Sequence, residues 1–268
     1  MPSIPALAAT PNLSEFDVIL INTSAGKDSL VMLEAVATEI NRQRFTGQVV
    51  AVFADLGDRV EWPGTRELAE RQVARYGWRF EVAVRTDGLD LLAGIEKRGM
   101  WPSSTARYCT SDWKRAPIRR LMTRLADEHR AVGGTGPCRI LNCMGLRAEE
   151  SSARAKKSPY ELDTSASNGR RQVYNWLPVF HWTAASDVWP TIRTLGLAYH
   201  PAYDVPNVDR LSCAMCVLAK PSQIEATILA LPGIAREYAA AERRMGHLFK
   251  QNWSIADAVN RLLGGDVA

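Results

Sequence analysis

Six residues that could bind a phosphate group, Ser24 to Ser29, directly follow an apolar run near the start of the chain. The run at 16–21 is nearly uninterrupted and rich in branched side chains, which predicts a buried parallel strand. Apolar residues then recur at helical spacing. A turn between a strand and a helix directs backbone N–H groups and the positive end of the helix dipole at one point. Gly26 allows an anion close to the backbone, and Lys27 adds charge.

The type of phosphate loop follows from the residues that flank Gly26. A Walker A loop is excluded, because Ile21 and Asp28 stand where that motif requires Gly and Ser or Thr. The shorter pattern Ser-x-Gly-x-Asp-Ser fits instead. Taken alone, these six residues also fit an ordinary turn between a strand and a helix.

The cysteines are the second set of residues that could carry chemistry. Cys213 and Cys216 form a Cys-x-x-Cys pair, which can hold a metal ion or a cluster. A redox dithiol and a zinc site are the alternatives. Cys138 lies near a predicted strand, where a buried, unreactive thiol is expected.

Composition limits the kind of protein. The chain has 268 residues, of which 46% are hydrophobic and 23% are charged, with a net charge of +4. This is a globular composition with no apolar stretch long enough to span a membrane. Residues 1–15 lack a basic start and an apolar core, so we expect a loose N-terminal arm rather than a signal peptide. A cytoplasmic location is therefore predicted, where disulfides are uncommon.

Strand and helix patterns alternate along most of the chain. They predict an α/β fold, a doubly wound parallel sheet over residues 16–200, followed by a helical C-terminal region at 201–268 that carries the Cys-x-x-Cys pair. In such sheets ligands bind at the carboxyl ends of the strands. We therefore expect Asp55, Gly145 and Arg147 to lie around one crevice with the turn at 24–29. A helix capped by Ser111 or Asp112 and a mobile loop at 147–171 are also predicted.

Four further motifs, together with the turn at 24–29, carry a family resemblance. They are YCTSDWKRAPI (108–118), GLRAEESSAR (145–154), LPVFHWTAASDVW (177–189) and RLSCAMC (210–216). In this order they resemble the PP-loop ATP pyrophosphatase superfamily, in its phosphoadenosine phosphosulfate (PAPS) reductase-like branch. The resemblance covers about residues 16 to 220 and implies cleavage of ATP between the α- and β-phosphates. Ala25 departs from it, because the family usually has Gly there; an alanine is tolerated at this position if its φ is negative.

The resemblance implies a choice between two chemistries. Reductases of this branch attack a sulfonucleotide with a cysteine in a C-terminal tail, and residues 217–268 contain no cysteine. The chain is therefore closest in character to the DNA phosphorothioation sulfurtransferases (Dnd/Ssp type), which use ATP to activate a nucleic acid. A PAPS or adenosine phosphosulfate (APS) reductase, a tRNA-thiolating enzyme and a non-catalytic nucleotide-binding module remain alternatives.

The same resemblance implies the cofactors ATP, Mg²⁺ and an iron–sulfur cluster of the 4Fe-4S type, with zinc as the alternative metal. The implied cluster ligands are Cys109, Cys213 and Cys216, and the fourth position is either filled by Cys143 or open to carry sulfide. In the phosphate site, Lys27 and Arg147 would stabilise developing charge, and Asp28 would orient the loop or the Mg²⁺. Phosphates would lie on Ser24, Ala25, Gly26, Lys27, Asp28, Ser29, Gly145 and Arg147, and the adenine near Phe53 and Asp55.

Basic residues suggest the partner. Six of them and one acid, Asp112, lie within residues 107–124, which fits either a polyanion-binding track or a solvated helix face. Trp101, Trp113 and Tyr160 could stack on bases or pack in the core. The predicted partners are nucleic acid, with DNA preferred, a sulfur donor such as a cysteine desulfurase, and a second copy of the chain; no membrane is expected.

Overall fold

The computed structural model describes residues 4–264, and its central element is a six-stranded sheet. The strand order is β3-β2-β1-β4-β6-β5. All neighbouring strands are parallel except β5, which is antiparallel to β6. The predicted α/β fold is thereby confirmed. The strands are β1 (Val18–Thr23), β2 (Gln48–Ala54), β3 (Arg79–Ala83), β4 (Cys138–Met144), β5 (Tyr160–Leu162) and β6 (Arg171–Trp176).

Helices cover both faces of the sheet and make up most of the C-terminal region, as predicted. No described helix is both long and apolar enough to cross a membrane. The helices are α1 (Lys27–Gln43), α2 (Thr65–Ala74), α3 (Leu91–Arg98), α4 (Tyr108–Thr110), α5 (Ala116–Ala131), α6 (Ser152–Ala155), α7 (Trp189–Thr194), α8 (Pro221–Ala230), α9 (Pro232–Met245) and α10 (Ile255–Leu263).

Strand β1 explains why the first apolar run is so continuous. It pairs with β2 on one side and β4 on the other, so neither edge is exposed. Its side chains alternate between two apolar clusters. Ile19 and Ile21 pack in the cluster that contains α1, whereas Val18 and Leu20 pack in the cluster that contains Leu125 of α5. A strand buried on both faces requires apolar residues at every position.

The described chain divides into two compact units. Unit 1 contains the sheet and comprises the residues up to Ala54, Arg66–Ala83 and Ile118–Tyr199. Unit 2 comprises Asp55–Thr65, Val84–Pro117 and the described residues from His200 onward. The second unit is therefore larger than the C-terminal region expected from sequence, because two earlier segments belong to it. Residues 265–268 of that predicted region lie outside the described residues.

Unit 2 has its own apolar core, and this core accounts for two of the aromatic residues considered for base stacking. Trp101 and Trp113 are both buried in it. The Trp101 ring stacks on Tyr238, with 5.6 Å between ring centroids. Tyr160, in unit 1, stacks on Tyr174. All three aromatic side chains thus pack within the protein.

The long basic helix begins earlier than its sequence predicts. Helical structure starts at Tyr108 and passes through a π-helical turn, Ser111–Arg115, before α5. Ser111 does not cap a helix; its Oγ donates to the Asp112 carboxylate at 2.6 Å. A π turn accommodates one extra residue without ending the helix, and the apolar periodicity does not reveal this.

Two segments expected to be loose are ordered instead. The predicted loop at 147–171 contains α6 and β5. The described part of the N-terminal arm lies against unit 1, where Trp176 Nε1 donates to the Ala8 carbonyl at 2.8 Å and Trp182 Nε1 donates to the Ala6 carbonyl at 2.9 Å. Buried indole N–H groups need acceptors, and the arm supplies them. Residues 1–3 lie outside the described residues.

Candidate functional site

The turn at 24–29 joins the end of β1 to the first turn of α1. Gly26 is the N-cap of α1, and no side chain caps the helix. Ser29 closes the turn, since its Oγ donates to the Gly26 carbonyl at 2.9 Å and accepts from the Ser24 N–H at 3.2 Å. A helix N-terminus without a side-chain cap leaves N–H groups available to an anion.

Ala25 has a backbone conformation that strains an alanine. Its φ is +56°, in the left-handed region, although its side chain is fully buried. A non-glycine residue in this region carries a strain of about 1–2 kcal/mol. The condition of a negative φ is therefore not met, and the glycine usual in the family would suit this backbone better.

Gly145 brings the end of β4 against the same turn. A Cβ atom added at Gly145 would lie 2.8 Å from the Asp28 carbonyl oxygen and 3.0 Å from the Ser29 nitrogen. Neither backbone atom can move without displacing α1. Only glycine permits this approach, which gives Gly145 a physical role in building the site.

Arg147 completes a buried group of charges beside the turn. Its Nε lies 2.7 Å from Asp28 Oδ1, and Lys27 Nζ lies 3.3 Å from Asp28 Oδ2. The side chains of Arg147 and Lys27 are almost fully buried. Burial lowers the pKa of Arg147, but the Asp28 and Glu149 carboxylates outweigh it and raise that pKa. Asp28 thus holds two cations in place, which favours its loop-orienting role over metal binding.

The residues predicted to meet the adenine lie at and after the end of β2. Phe53 is buried in β2 and is paired in register with Thr23, the last residue of β1. Asp55 belongs to unit 2, where its Oδ1 accepts from the Gly57 N–H at 2.8 Å. Their contact with a nucleotide stays a prediction.

A row of asparagine side chains across the sheet was missed from sequence. Asn22 Nδ2 donates to Asn142 Oδ1 at 2.7 Å, and Asn142 Nδ2 donates to Asn175 Oδ1 at 2.8 Å. These residues lie on the neighbouring strands β1, β4 and β6. The signal in the sequence was a single Asn near the end of each of three apolar runs, a position that requires a polar partner.

A second group of candidate residues consists of three cysteines, all in unit 2. Cys109, Cys213 and Cys216 are all half-buried free thiols. Burial raises the pKa of Cys213, and the adjacent Lys114 ammonium lowers it in part. Burial alone would lower the pKa of Lys114, but Cys213, Glu61, Cys216 and Cys109 raise it. Among the described residues, the sulfur atoms of these three cysteines do not all lie within 4.8 Å of one another. That spacing is wider than one zinc ion requires, whereas thiolates are the usual ligands of an iron–sulfur cluster.

The other two cysteines are in the core of unit 1. Cys143 is completely buried, and its thiol donates to the Leu141 carbonyl of its own strand. Burial raises the pKa of Cys143. These surroundings favour an open fourth position over ligation by Cys143, whose role as a ligand stays a prediction. Cys138 is buried as expected, and burial followed by the Asp17 carboxylate raises its pKa to about 12.

The basic run at 107–124 is partly neutralised. Arg124 contacts Glu81 at 2.6 Å, and Arg119 lies 4.0 Å from Asp163. Arg107 and Arg115 are exposed, and so are Lys156 and Lys157. Within residues 4–264, none of these four has an ion pair. The polyanion interpretation therefore depends on fewer residues than the sequence suggested.

Fold and site together define a nucleotide-handling α/β protein with a PP-loop at the carboxyl end of its first strand. The chain matches the phosphoadenosine phosphosulfate reductase domain over residues 18–219, and it belongs to that family. It is thus a PAPS reductase-like enzyme of the PP-loop superfamily, with a sheet of the adenine nucleotide α-hydrolase type. No curated protein is similar enough in sequence to be a match.

Several solved structures are similar to this chain, and the first named here supports the fold. FMN adenylyltransferase from Candida glabrata, in complex with FAD and inorganic pyrophosphate, is 12% identical with a TM-score of 0.51, covering 77% of this chain and 58% of that one. PAPS reductase from Candida auris, a phosphate complex, is 20% identical with a TM-score of 0.43, covering 73% and 78%. The U34-tRNA thiolase NcsA from Methanococcus maripaludis, with its [4Fe-4S] cluster, is 14% identical with a TM-score of 0.44, covering 94% and 76%.

Proposed function

We propose that the protein is an ATP pyrophosphatase and sulfurtransferase that adenylylates a nucleic-acid acceptor, with the DNA backbone phosphodiester as the leading candidate. The observation that carries the proposal is that one chain combines a PP-loop with three half-buried thiols whose charges raise the pKa of Lys114.

The first step forms an adenylylated acceptor. A phosphodiester oxygen attacks the α-phosphorus of ATP, a new P–O bond forms, and pyrophosphate leaves. Negative charge that develops on the phosphates is stabilised by Lys27, by Arg147 and by the N–H groups of the first turn of α1. Asp28 holds both cations in position, and Mg²⁺ would be carried by the phosphates themselves.

The second step introduces sulfur. A sulfur at the oxidation level of sulfide attacks the acceptor phosphorus, so that a P–S bond forms and AMP leaves without any change in redox state. Cys109, Cys213 and Cys216 would hold an iron–sulfur cluster, which supplies thiolate-bound iron as a place for sulfur. Lys114 balances the negative charge of the thiolates. A sulfur donor such as a cysteine desulfurase, a thiol reductant that reduces its persulfide sulfur to sulfide by two electrons, and a homodimeric assembly are part of the same proposal.

The unpaired cations support a polyanionic acceptor. Lys156 and Lys157 follow the GLRAEESSAR motif, and Arg107 and Arg115 flank Cys109 in sequence. Exposed cations without acidic partners are free to neutralise phosphates and release counterions.

A comparison of acceptors tests the proposal. The anaerobically purified protein is offered ATP with DNA, with tRNA or with neither, and separately PAPS with thioredoxin. We expect AMP and pyrophosphate as products and faster pyrophosphate release with DNA. Sulfite release from PAPS, without any effect of nucleic acid on pyrophosphate release, would establish the reductase instead. ADP and phosphate as products would contradict the whole proposal.

The salt dependence of DNA binding tests the cations separately. Replacing Lys156 and Lys157 by alanine should reduce the slope of log affinity against log salt by up to about 1.8, at about 0.9 for each lost phosphate contact. Replacing Arg119 and Arg124, which already have acidic partners, serves as the matched control and should change the slope less. Equal effects of the two double substitutions would refute the proposal that Lys156 and Lys157 contact DNA phosphates.

A further inference from the structure

Unit 1 contains a group of potential metal ligands that the proposed function does not use. Asp17, His129 and Cys138 each offer one ligand atom, and these three atoms all lie within 4.8 Å of one another. Among residues 4–264, this is the only set of three or more His, Cys, Asp or Glu side chains that meets that condition. The carboxylate, the imidazole and the thiol come from three different elements.

The group lies at the amino-terminal ends of two central strands, whereas the PP-loop lies at the carboxyl end of β1. Asp17 directly precedes β1, and Cys138 is the first residue of β4, its parallel neighbour. His129 lies in the last turn of α5. The turn at 24–29 instead follows the carboxyl end of β1. Because β1 has six residues, about 20 Å of strand separates the two places, at about 3.3 Å per residue.

Two of the three side chains are held in place. The Arg139 N–H donates to Asp17 Oδ2 at 2.8 Å, and the Asp17 N–H donates to the Arg139 carbonyl at 2.9 Å. The loop after α5 lies against the imidazole, since a Cβ added at Gly134 would be 2.1 Å from His129 Nε2. Fixed side chains are what a metal site requires of its ligands.

The separation of His129 and Asp17 is close to that of two ligands of one ion and exceeds that of a hydrogen bond. His129 Nε2 and Asp17 Oδ2 are 3.7 Å apart, which is too long for a hydrogen bond. Nitrogen and oxygen ligands at about 2.0–2.1 Å from a tetrahedral ion are about 3.4 Å apart, so a small adjustment suffices. The Cys138 thiol is completely buried, and within the described chain it makes no hydrogen bond.

We propose that Asp17, His129 and Cys138 bind one zinc ion, with water as the fourth ligand. A thiolate, an imidazole and a carboxylate suit Zn²⁺, whereas Mg²⁺ and Ca²⁺ require oxygen ligands. The side chains of His129 and Asp17 are 19% and 36% exposed, so water reaches the ion. Binding releases the thiol proton to solvent. The ion links the end of α5 to the first residues of two central strands and thus stabilises unit 1.

A zinc titration tests the site in a full-length variant with Cys213→Ser and Cys216→Ser, which removes the thiols most able to compete for the metal. The metal-free protein is titrated with Zn²⁺ against a chromophoric chelator. We expect one equivalent of zinc per chain and a higher melting temperature when zinc is present. Adding His129→Asn or Cys138→Ala should weaken binding at least about tenfold, because a ligand is lost. Neither variant should be stabilised by zinc.

The matched control is Cys143→Ala, which removes an equally buried thiol from the same strand and should still bind one equivalent. Cobalt(II) gives a second readout, because its thiolate absorption should disappear with Cys138→Ala and persist with Cys143→Ala. If Cys138→Ala does not fold, the half-buried His129→Asn decides the question by its zinc affinity. Undiminished zinc affinity in His129→Asn, or less than one equivalent in the starting variant, would refute the site.

Discussion

At the scale of single residues, the most informative finding is the left-handed backbone of Ala25. Replacing Ala25 by glycine should remove about 1–2 kcal/mol of strain and add about 0.5–1 kcal/mol of chain entropy cost. We therefore expect the free energy of unfolding, measured by urea denaturation, to rise by up to about 1 kcal/mol. Ala35→Gly, in the middle of α1, should instead lower it by about 1 kcal/mol. A loss in both variants would contradict the strain at Ala25.

His200 is a residue whose protonation should set a pH limit on stability. Its Nδ1 accepts from the Ala202 N–H at 3.0 Å, and its Nε2 lies 3.0 Å from Thr65 Oγ1, which donates to the Trp62 carbonyl. This chain of bonds requires the neutral imidazole. Burial lowers the pKa of His200 below its ordinary value. The stabilisation is therefore present above about pH 6.5 and is lost as the pH falls through the folded-state pKa.

Urea denaturation at several pH values measures how much of the pH dependence of stability is due to His200. His200→Gln should be less stable than the parent at pH 7.5, and its stability should decline less as the pH is lowered towards 5. His247→Gln removes an exposed imidazole and should retain the pH dependence of the parent. If the variant at position 200 keeps the full dependence, another group is responsible for it.

At the scale of elements, α10 depends on one buried carboxylate from α9. Glu242 accepts from the N–H groups of Phe249, Ile255 and Ala256 and from Ser254 Oγ, at 2.6 to 3.1 Å. Glu242→Gln replaces an acceptor oxygen by a donor, so we expect the free energy of unfolding to fall by about 1–3 kcal/mol. Glu237→Gln, a partly exposed site on the same helix, should change it by less than about 0.5 kcal/mol. Equal stabilities would show that Glu242 does not cap α10.

The sequence predicted strands and helices correctly where a single apolar periodicity ran through the whole segment. The run at 16–21 predicted β1 because a strand buried on both faces of its sheet requires apolar side chains at successive positions. The role of Glu242 could not be predicted, because its partners lie 7 to 14 residues further along the chain and within an ordinary amphipathic pattern. The π turn at Ser111–Arg115 and the φ of Ala25 are likewise set by tertiary packing, which no local pattern encodes.

At the scale of the whole molecule, the two groups of candidate residues belong to different units. The PP-loop, Gly145 and Arg147 belong to unit 1, whereas Cys109, Cys213 and Cys216 belong to unit 2. Sequence analysis named both groups, because strand ends and cysteine spacing are local signals. It did not predict the Lys114 ammonium beside the thiols, since that placement depends on how unit 2 assembles from three separate segments.

This division predicts that each group of residues can lose its ligand while the other group keeps its own. Cys213→Ser should lose iron after anaerobic purification, yet bind a non-hydrolysable ATP analogue within about twofold of the parent affinity, which is about 0.4 kcal/mol. Gly145→Ala should do the reverse, because its Cβ would lie 2.8 Å from the Asp28 carbonyl and displace the PP-loop. Iron and sulfide assays with calorimetric titration measure both effects. Loss of nucleotide affinity in Cys213→Ser, or of iron in Gly145→Ala, would show that the PP-loop residues and the cysteines are coupled.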